Sequence, residues 1–491
     1  MEKKQIAIIG SGIAGLASAI RLSVQGHKVA VFEANSYPGG KLTAFQEKGY
    51  RFDMGPSLFT MPQLVEELFE LANKPIFKYF SYKKKETICN YFYEDGTLFS
   101  APADKNEFVV KASETFDVSQ NALLSYMNRS KQKYDLTSAL FLEKSLHKKS
   151  TYLSLDTLQA LVRIGVLDLN KSLSTLNENT FSDPRLVQFY NRFATYNGSS
   201  PYKTPGIMSM IPHLEQHYGT YFPKGGMHQI TLSLFALAKD LGVAFSFNSP
   251  VQEILTKGKE VTGLLVNNQN VNAEIVVSNA DIVPTYRRLL PKHKAPEKTL
   301  NQPRSSSALI FYWGIKKEFP ELDLHNIFFS KDYKKEFDCI FKEQSIYDDP
   351  TVYLNISSKD EASDSPDGCE NWFTMINVPN NTGQNWDALI SDARKNILKK
   401  LSRLLNQDIF ELIDHESVLD PRAIESRTQS YQGALYGASS NNKFAAFLRH
   451  PNFKNSIQNL YFCGGSVHPG GGIPLCLLSG KIVAELIEKK H

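Results

Sequence analysis

The chain has 491 residues, of which 42% are apolar and 22% are charged, an ordinary composition for a globular protein. At about 150 residues per domain, the length predicts roughly two or three domain-sized units. The 55 basic and 51 acidic side chains leave a net charge of only +4, which argues against a protein that depends on phosphate contacts with nucleic acid. A mean hydropathy of −0.30 argues against several membrane spans.

The cysteines are scattered and contain no Cys-x-x-Cys pair. We therefore expect neither a disulfide framework nor a metal site, and we predict a reducing, cytoplasmic compartment. The five residues are Cys89, Cys339, Cys369, Cys463 and Cys476.

The amino-terminal residues can be interpreted in two ways. A basic start followed by the mostly apolar stretch 6–20 has the outline of a secretory signal. Three glycines within that stretch favour a buried strand, a glycine turn and a helix instead. The strand-like stretch 28–33, directly after the helical pattern, also supports the second interpretation.

The glycine turn lies between a short apolar strand at 5–9 and a helical pattern, and a second strand at 28–33 ends in an acid. This order of elements predicts dinucleotide binding, because the glycines let a pyrophosphate approach the backbone and the helix N-terminus offers free N–H groups. The acid can accept hydrogen bonds from ribose hydroxyls, which favours FAD or NAD over NADP. The turn is Gly10, Ser11, Gly12, Ile13, Ala14 and Gly15, and the acid is Glu33, followed by Ala34.

A second glycine pair favours FAD over NAD. Gly39 and Gly40 precede Lys41, and the stretch 51–57 follows shortly afterwards. NAD binding does not need this pair, so we interpret it as backbone beside a longer cofactor, with Lys41 near phosphate or flavin. A plain loop turn with a solvated lysine is the alternative interpretation.

The carboxyl end contains another glycine-rich strand, loop and helix. The pattern predicts a strand at 459–465, a loop at 466–474 and a helix at 475–488. The start of that helix could stabilise negative charge on a reduced flavin. A separate carboxyl-terminal domain with its own ligand is the rival interpretation.

These stretches, spread over almost the whole chain, resemble the carotenoid desaturase family, a group of phytoene-desaturase-like flavoproteins related to amine oxidases. The resemblance rests on the motifs GSGIAG, FEANSYPGGK, RFDMGPS, NGSSPYKTP, YFPKGGM, VVSNAD and NLYFCGGSVHPGGGIP. It implies FAD as the cofactor and a long apolar carotenoid as the substrate. Beyond Gly10–Gly15, Glu33 and Ala34, the implied cofactor-binding residues are Gly40, Lys41, Gly55, Pro56, Ser57, Leu58, Val251, Asn279, Gly465, Ser466, Gly472, Ile473 and Pro474.

The fold that we expect is α/β. A Rossmann-like FAD-binding domain with a parallel sheet is predicted from residues 1–70, 220–295 and 445–491. A mixed-sheet substrate-binding domain with membrane-associating helices is predicted from residues 71–219 and 296–444. Several aromatic residues of this second domain lie on strand-like patterns, namely Phe311, Tyr312, Trp313, Tyr353, Trp372, Phe373 and Tyr431.

Membrane contact is expected at an amphipathic segment, 153–169, which follows Lys144, Lys148 and Lys149. It is too short and too polar to span a bilayer, but it could lie in the interface; a helix packed on the protein is the alternative. A C40 polyene is costly to expose to water, so we predict a peripheral membrane enzyme that takes its substrate from the bilayer.

The predicted reaction is removal of two hydrogens from a C–C bond beside a polyene, with hydride transfer to flavin N5. A base must take the neighbouring proton, and the sequence does not identify it; His468 is interpreted as a residue that shapes the loop backbone. Oxygen or a quinone is the expected final electron acceptor.

We favour desaturation of a 1-hydroxylated carotenoid at the 3,4 bond. A phytoene or lycopene desaturase, a carotenoid isomerase, a flavin amine oxidase and a prenyl-binding chaperone without flavin remain open as alternatives.

Overall fold

The computed structural model describes residues 2–138, 144, 164–442 and 449–491. Residues 153–163 of the predicted amphipathic segment, with Lys148 and Lys149, lie outside this description. The strands are β1 (Gln5–Ile9), β2 (Lys28–Phe32), β3 (Ala44–Glu47), β4 (Tyr50–Asp53), β5 (Tyr82–Lys84), β6 (Thr87–Phe92), β7 (Leu98–Pro102), β8 (Tyr221–Pro223), β9 (Ala244–Ser246), β10 (Val251–Lys257), β11 (Glu260–Val266), β12 (Gln269–Asn272), β13 (Ile275–Ser278), β14 (Ser307–Ile315), β15 (His325–Phe328), β16 (Val352–Ile356), β17 (Glu370–Val378), β18 (Ile413–Leu419) and β19 (Leu460–Phe462).

The longer α-helices separate these strands, and short helical turns connect several of them. Within the described ranges, no helix is both long enough and apolar enough to cross a bilayer. The helices of six or more residues are α1 (Ile13–Val24), α2 (Gln63–Leu71), α3 (Lys105–Phe116), α4 (Gln120–Thr137), α5 (Leu173–Glu178), α6 (Pro184–Asn191), α7 (His228–Asp240), α8 (Tyr333–Asp338), α9 (Trp386–Leu404), α10 (Pro421–Thr428) and α11 (Ile473–Glu488).

The first layer is a five-stranded sheet in the order β19-β13-β1-β2-β9, and all its strand pairs are parallel. The four apolar residues of β1, 6–9, are buried, as expected for a parallel sheet that is covered on both faces. Helices α1, α7 and α11 cover one face, and the three-stranded sheet β10-β11-β12 covers the other. This is the Rossmann-like arrangement predicted from the sequence.

Close packing of α1 against α11 joins the two ends of the chain. A Cβ atom at Gly480 would lie 3.0 Å from the carbonyl oxygen of Ala14 and 3.0 Å from the Cβ of Ala17, closer than an ordinary van der Waals contact. Because β19 also pairs with β13, the amino-terminal and carboxyl-terminal glycine turns belong to one sheet edge. The rival interpretation of a separate carboxyl-terminal domain is therefore wrong.

The second layer is a seven-stranded mixed sheet in the order β18-β14-β17-β16-β15-β6-β7, in which only the pair β15–β6 is parallel. Successive side chains of a strand point to opposite faces, and one face of this sheet packs on α9 to form an apolar core. Trp313 and Trp372 belong to that core and are fully buried. The other face lines a cavity.

The structure differs from the expected elements at the last strand, at Tyr431 and at the last helix. Strand β19 covers only Leu460–Phe462 of the strand expected at 459–465. Tyr431 lies in a short 3-10 turn, 431–433, and not on a strand, because Gln432 adopts φ +57°, outside the extended region. Helix α11 begins at Ile473, two residues before the expected start, with Pro474 in its first turn, where the missing proline N–H costs no hydrogen bond.

All strands of the five-stranded sheet fall within 1–70, 220–295 and 445–491, and all strands of the seven-stranded sheet fall within the remaining ranges. The division into two domains stays a prediction.

Candidate flavin and substrate site

A cavity of about 1070 Å³ begins at the carboxyl ends of β1, β2, β13 and β19 and continues along the seven-stranded sheet. Crevices at the carboxyl ends of parallel strands are the usual ligand sites of such sheets. We call the part at these strand ends the cofactor pocket and the part along the seven-stranded sheet the substrate pocket. The pockets are continuous, so a ligand bound in one can contact a ligand bound in the other.

Most of the residues that the sequence predicts for cofactor binding line this cavity. Ser11 and Gly15 are not among the lining residues. Those that line it are Gly10, Gly12, Ile13, Ala14, Glu33, Ala34, Gly40, Lys41, Gly55, Pro56, Ser57, Leu58, Val251, Asn279, Gly465, Ser466, Gly472, Ile473 and Pro474.

The Glu33 carboxylate is 6% exposed and is held in place by the motif itself. One carboxylate oxygen accepts hydrogen bonds from the backbone N–H and the hydroxyl of Ser11, both at 2.8 Å. The other accepts from the backbone N–H of Asn35 at 2.9 Å and from its side chain at 3.1 Å. A carboxylate has about four acceptor positions, and these four bonds from Ser11 and Asn35 occupy them. The predicted contact of Glu33 with a ribose hydroxyl therefore requires that one of these bonds be replaced.

The start of α1 has the features of an anion site. Asn279 accepts a hydrogen bond of 2.5 Å from the backbone N–H of Gly15, which satisfies one of the N–H groups that a helix leaves without an internal partner. Those of Ile13 and Ala14 belong to the same first turn and can face phosphate oxygens. A Cβ at Gly15 would lie 2.3 Å from the carbonyl oxygen of Gly10, so only glycine permits this turn. These residues fit a dinucleotide.

Lys41 contributes differently from the expected contact with phosphate or flavin. Its Nζ donates to the backbone carbonyl oxygens of Ala434 at 3.1 Å and Leu435 at 2.9 Å. Burial lowers the pKa of Lys41. The lysine therefore ties the glycine pair to the segment 434–435 while it lines the cofactor pocket.

Sequence reasoning missed Arg449 and the segment 426–437. Arg449 is 4% exposed, and its guanidinium donates to the carbonyl oxygens of Tyr436 at 2.6 Å and Gly465 at 3.2 Å. Burial lowers the pKa of Arg449 to about 10, which leaves it charged at neutral pH. Both Arg449 and Tyr436 line the cavity. No motif marks them, because a lone arginine and a loop carry no periodic pattern.

The His468 side chain contacts neighbouring backbone and does not line the cavity. Its Nε2 lies 2.9 Å from the carbonyl oxygen of Lys144, and its own carbonyl accepts from Asn452 at 2.7 Å and Ser479 at 2.9 Å. Pro469 lines the cavity, whereas His468 is not among the lining residues. This placement supports the interpretation of His468 as a residue that shapes the backbone.

The substrate pocket is built from alternate side chains of the seven-stranded sheet. Most of the residues that β14, β15, β16 and β17 present to the cavity are apolar, as a hydrocarbon chain requires. The set is Ala308, Ile310, His325, Ile327, Tyr353, Phe373, Met375 and Asn377. Two of the aromatic residues noted in the sequence, Tyr353 and Phe373, thus face the cavity, while Phe311, Trp313 and Trp372 face the core.

A buried ion pair closes another side of the substrate pocket. Arg192 donates to Glu215 at 2.8 and 3.1 Å, and the Tyr196 hydroxyl donates to the same carboxylate. The guanidinium also lies 4.1 Å from the ring centroid of Phe193, a cation–π geometry. Burial by itself would lower the pKa of Arg192, but the charge of Glu215 raises it well above its ordinary value. Arg192 therefore stays charged.

A chain of hydrogen bonds connects the two pockets. The Ser57 hydroxyl lies 2.8 Å from the Tyr353 hydroxyl, which lies 2.8 Å from Nδ1 of His325. Asn355 also contacts that Nδ1, at 3.2 Å. The sequence predicted Ser57 as a cofactor residue but gave no signal for His325, which reaches the site only through the strand order.

The family model of the flavin-containing amine oxidoreductases matches residues 13–488. The chain is 60% identical over 484 residues to a 1-hydroxycarotenoid 3,4-desaturase from Flavobacterium sp. (strain P99-3), with 99% of each chain covered. It is 32% identical over 499 residues to a 4,4'-diapolycopene oxygenase from Methylomonas sp, with 99% of this chain and 98% of the relative covered.

Solved structures show the same fold at low identity. An oxidoreductase from Methanosarcina mazei has a TM-score of 0.64 at 16% identity, with 98% of this chain and 99% of that chain covered. Cyclohexylamine oxidase from Brevibacterium oxydans IH-35A has a TM-score of 0.62 at 16% identity, with 100% and 99% covered. The predicted α/β fold and the predicted FAD cofactor are confirmed. The chain belongs to the flavin-containing amine oxidoreductases and, among them, to the carotenoid desaturase family.

Proposed function

We propose that this protein is an FAD-dependent desaturase that forms a double bond between C3 and C4 of an acyclic carotenoid with a hydroxyl group on C1. The observation that carries the proposal is the 60% identity, over 99% of both chains, with the Flavobacterium desaturase of that name. The apolar side chains of the substrate pocket support it, since they suit a polyene.

When bound, FAD supplies a hydride acceptor next to the bond that is oxidised. The first turns of α1 and α11 orient backbone N–H groups toward the cofactor pocket. Most of the residues predicted to bind FAD line the same pocket. The sheet residues Ile310, Ile327 and Met375 hold the polyene and exclude water from the reacting bond. The desaturated carbon pair also loses a proton, and the base that takes it stays unassigned.

We further propose that residues 1–70, 220–295 and 445–491 form the FAD-binding domain and that the remainder forms the substrate-binding domain. The strand membership of the two large sheets supports this division. Expression of residues 71–219 joined to 296–444 as a separate chain would test it, since a true domain retains a cooperative unfolding transition.

We propose oxygen or a quinone as the final electron acceptor. We also propose that the protein associates peripherally with a membrane. Leu71 is 44% exposed and Phe77 is 76% exposed, and Lys74 and Lys78 lie between and beside them. Exposed apolar and basic side chains in one short stretch suit a bilayer interface. Co-sedimentation with vesicles that contain anionic lipid tests this point, and a Phe77→Ser variant should bind them more weakly.

The test of the reaction uses the purified flavoprotein with a 1-hydroxylated acyclic carotenoid. The expected product has lost two hydrogens by mass and absorbs at longer wavelength, because the conjugated system is extended. A product with added oxygen would assign the chain to the chemistry named for the Methylomonas relative instead. Hydrogen peroxide release with an amine, and no carotenoid product, would favour an amine oxidase.

A further inference from the structure

Asn377 places an amide in a mostly apolar wall of the substrate pocket. Its neighbours on β17, Ile376 and Val378, pack in the apolar core, so the Asn377 side chain points to the opposite face of the sheet. That face lines the cavity, and Asn377 is one of the lining residues. Asn377 is partly exposed, whereas both neighbours are fully buried. The amide therefore lies at the surface of the cavity, where a bound molecule can reach it.

The oxygen of this amide is hydrogen-bonded, but its nitrogen is not. The Ser306 hydroxyl donates to Oδ1 of Asn377 at 3.3 Å, and this bond orients the amide. Nδ2 carries two N–H donors, and neither has an acceptor among the residues that the structure describes. The unpaired polar atoms that lack accessible surface do not include Nδ2. This donor is therefore open to a ligand in the cavity.

Hydrogen bonds through Ser306 place the amide beside the cofactor pocket. The Ser306 carbonyl oxygen accepts from the backbone N–H of Leu435 at 3.2 Å, and the Leu435 carbonyl oxygen accepts from Nζ of Lys41 at 2.9 Å. Leu435 and Lys41 both line the cavity, and Lys41 is a predicted cofactor residue. Successive hydrogen bonds thus connect Asn377 to the glycine pair of the cofactor pocket.

The pairing of the strands gives the same position independently. Met375 is the next residue on the cavity face of β17, and it pairs with Tyr353 of β16. The Tyr353 hydroxyl lies 2.8 Å from the hydroxyl of Ser57, another predicted cofactor residue. Asn377 is therefore one side chain away from a second contact with the cofactor pocket. Both observations place its amide at the junction of the two pockets.

A hydroxyl on C1 of the substrate has to lie near the same junction. C1 is two bonds from C3, and C3 belongs to the bond that is oxidised at the flavin. A hydrocarbon end group at this place would remove water from the Nδ2 donors of Asn377 and leave them unpaired, which is unfavourable. A hydroxyl oxygen can accept a hydrogen bond from Nδ2.

We propose that Asn377 determines the preference for hydroxylated carotenoids by donating a hydrogen bond from Nδ2 to the hydroxyl oxygen on C1. This inference rests on the proposed function and deepens it by naming the group that recognises the substrate. A site built around a hydrogen bond to a hydroxyl discriminates against the analogue without it, because the protein donor is then left unpaired.

The experiment compares a 1-hydroxylated acyclic carotenoid with the same carotenoid without the hydroxyl, using the flavoprotein and its Asn377→Leu variant. Leucine has a similar size but no donor. We expect kcat/KM for the hydroxylated substrate to fall about tenfold, the size of one hydrogen bond. The value for the hydrocarbon should stay the same or rise, so the ratio of the two values falls at least as much.

Two further variants separate recognition of the hydroxyl from general effects on the pocket. Met375→Leu changes the same face of β17 without altering a polar group, and it should change kcat/KM for both substrates equally. Ser306→Ala removes the bond that orients the amide but keeps the donor, so the preference ratio should fall less than in Asn377→Leu. Flavin absorbance reports folding, and if Asn377→Leu does not accumulate as a flavoprotein, Asn377→Ala replaces it.

An unchanged preference ratio in a flavin-loaded Asn377→Leu or Asn377→Ala variant would overturn the inference. A weaker hold on flavin together with an unchanged ratio would assign the amide to the cofactor instead. Equal activity of the unmodified protein on both substrates would also overturn the inference, while leaving the desaturase function intact. Failure of the unmodified protein to act on any carotenoid would refute the proposed function itself, and the inference with it.

Discussion

The cofactor pocket and the substrate pocket are built by opposite means. In the cofactor pocket, the polar side chains bind the protein's own backbone: Glu33 holds Ser11, Asn279 holds Gly15, and Lys41 holds carbonyl groups. This arrangement leaves backbone N–H groups to contact the ligand. In the substrate pocket, the backbone is engaged in the sheet and alternate side chains meet the ligand.

This difference affects how each pocket tolerates change. A site made of backbone depends on close approach, and a single added carbon can prevent it. A site made of side chains depends on shape and on the pairing of a few polar atoms, so its substitutions have graded effects. Four predictions compare the two pockets, in order of decreasing effect.

The largest effect is expected from Gly15→Ala, in the glycine turn beside the cofactor pocket. The added Cβ would lie 2.3 Å from the Gly10 carbonyl oxygen and 2.9 Å from Oδ1 of Asn279. We expect complete loss of bound flavin, measured from the ratio of flavin absorbance to protein absorbance. Gly165→Ala is the matched control, since no residue that the structure describes comes within 4 Å of its Cβ position. Full flavin content in Gly15→Ala would show that the backbone approach is not essential.

The second prediction concerns the buried ion pair of the substrate pocket. Glu215→Gln leaves the charge of Arg192 without its partner, and the free energy of unfolding should fall by about 3–5 kcal/mol. Denaturant unfolding measures the change. The control is Glu297→Gln, which breaks the exposed pair with Arg287 and should leave the stability unchanged. Equal losses in the two variants would contradict the assignment of the effect to burial.

The third prediction is a pH dependence of stability at His325. Burial lowers its pKa to about 4 in the folded protein, with smaller effects from Lys85, Asp323, Asp360 and Arg192, whereas an unfolded histidine titrates near 6.5. The unfolded state therefore binds a proton first, and folding stability falls as pH decreases from about 6.5 to 4, by about 3 kcal/mol at most.

His325→Phe removes this one titration, so the difference between variant and unmodified protein isolates it from all other groups. Between pH 7 and pH 4.5, the free energy of unfolding should fall less in the variant than in the unmodified protein. Parallel losses in both proteins would mean that His325 is not buried as described.

The smallest effect is expected from Tyr353→Phe, which removes the hydroxyl between Ser57 and His325. We expect about a fivefold lower kcat/KM on the hydroxylated carotenoid, equivalent to about 1 kcal/mol, with unchanged flavin content. Tyr91→Phe is the control, because the Tyr91 hydroxyl takes no part in the hydrogen-bond chain from Ser57 to His325.

Much of the cofactor pocket was predictable because its chemistry depends on local spacing. The glycine positions, the acid at the end of β2 and the strand–loop–helix at the carboxyl end are all visible in short stretches of sequence. Lys41 shows the limit of such reasoning: its position was predicted, but its contacts with Ala434 and Leu435 depend on a segment almost 400 residues away in the chain.

By itself, the sequence predicted the parallel-sheet fold, the flavin and most of the residues that line the cofactor pocket, because glycine spacing and apolar runs act through local backbone geometry. Only the tertiary structure decided which aromatic residues face the cavity and which face the core, since that depends on strand order and register. It also placed His325, Tyr353 and Arg449. Each is a single side chain without a periodic pattern, and its role arises from neighbours that are distant in the chain and adjacent only in the folded protein.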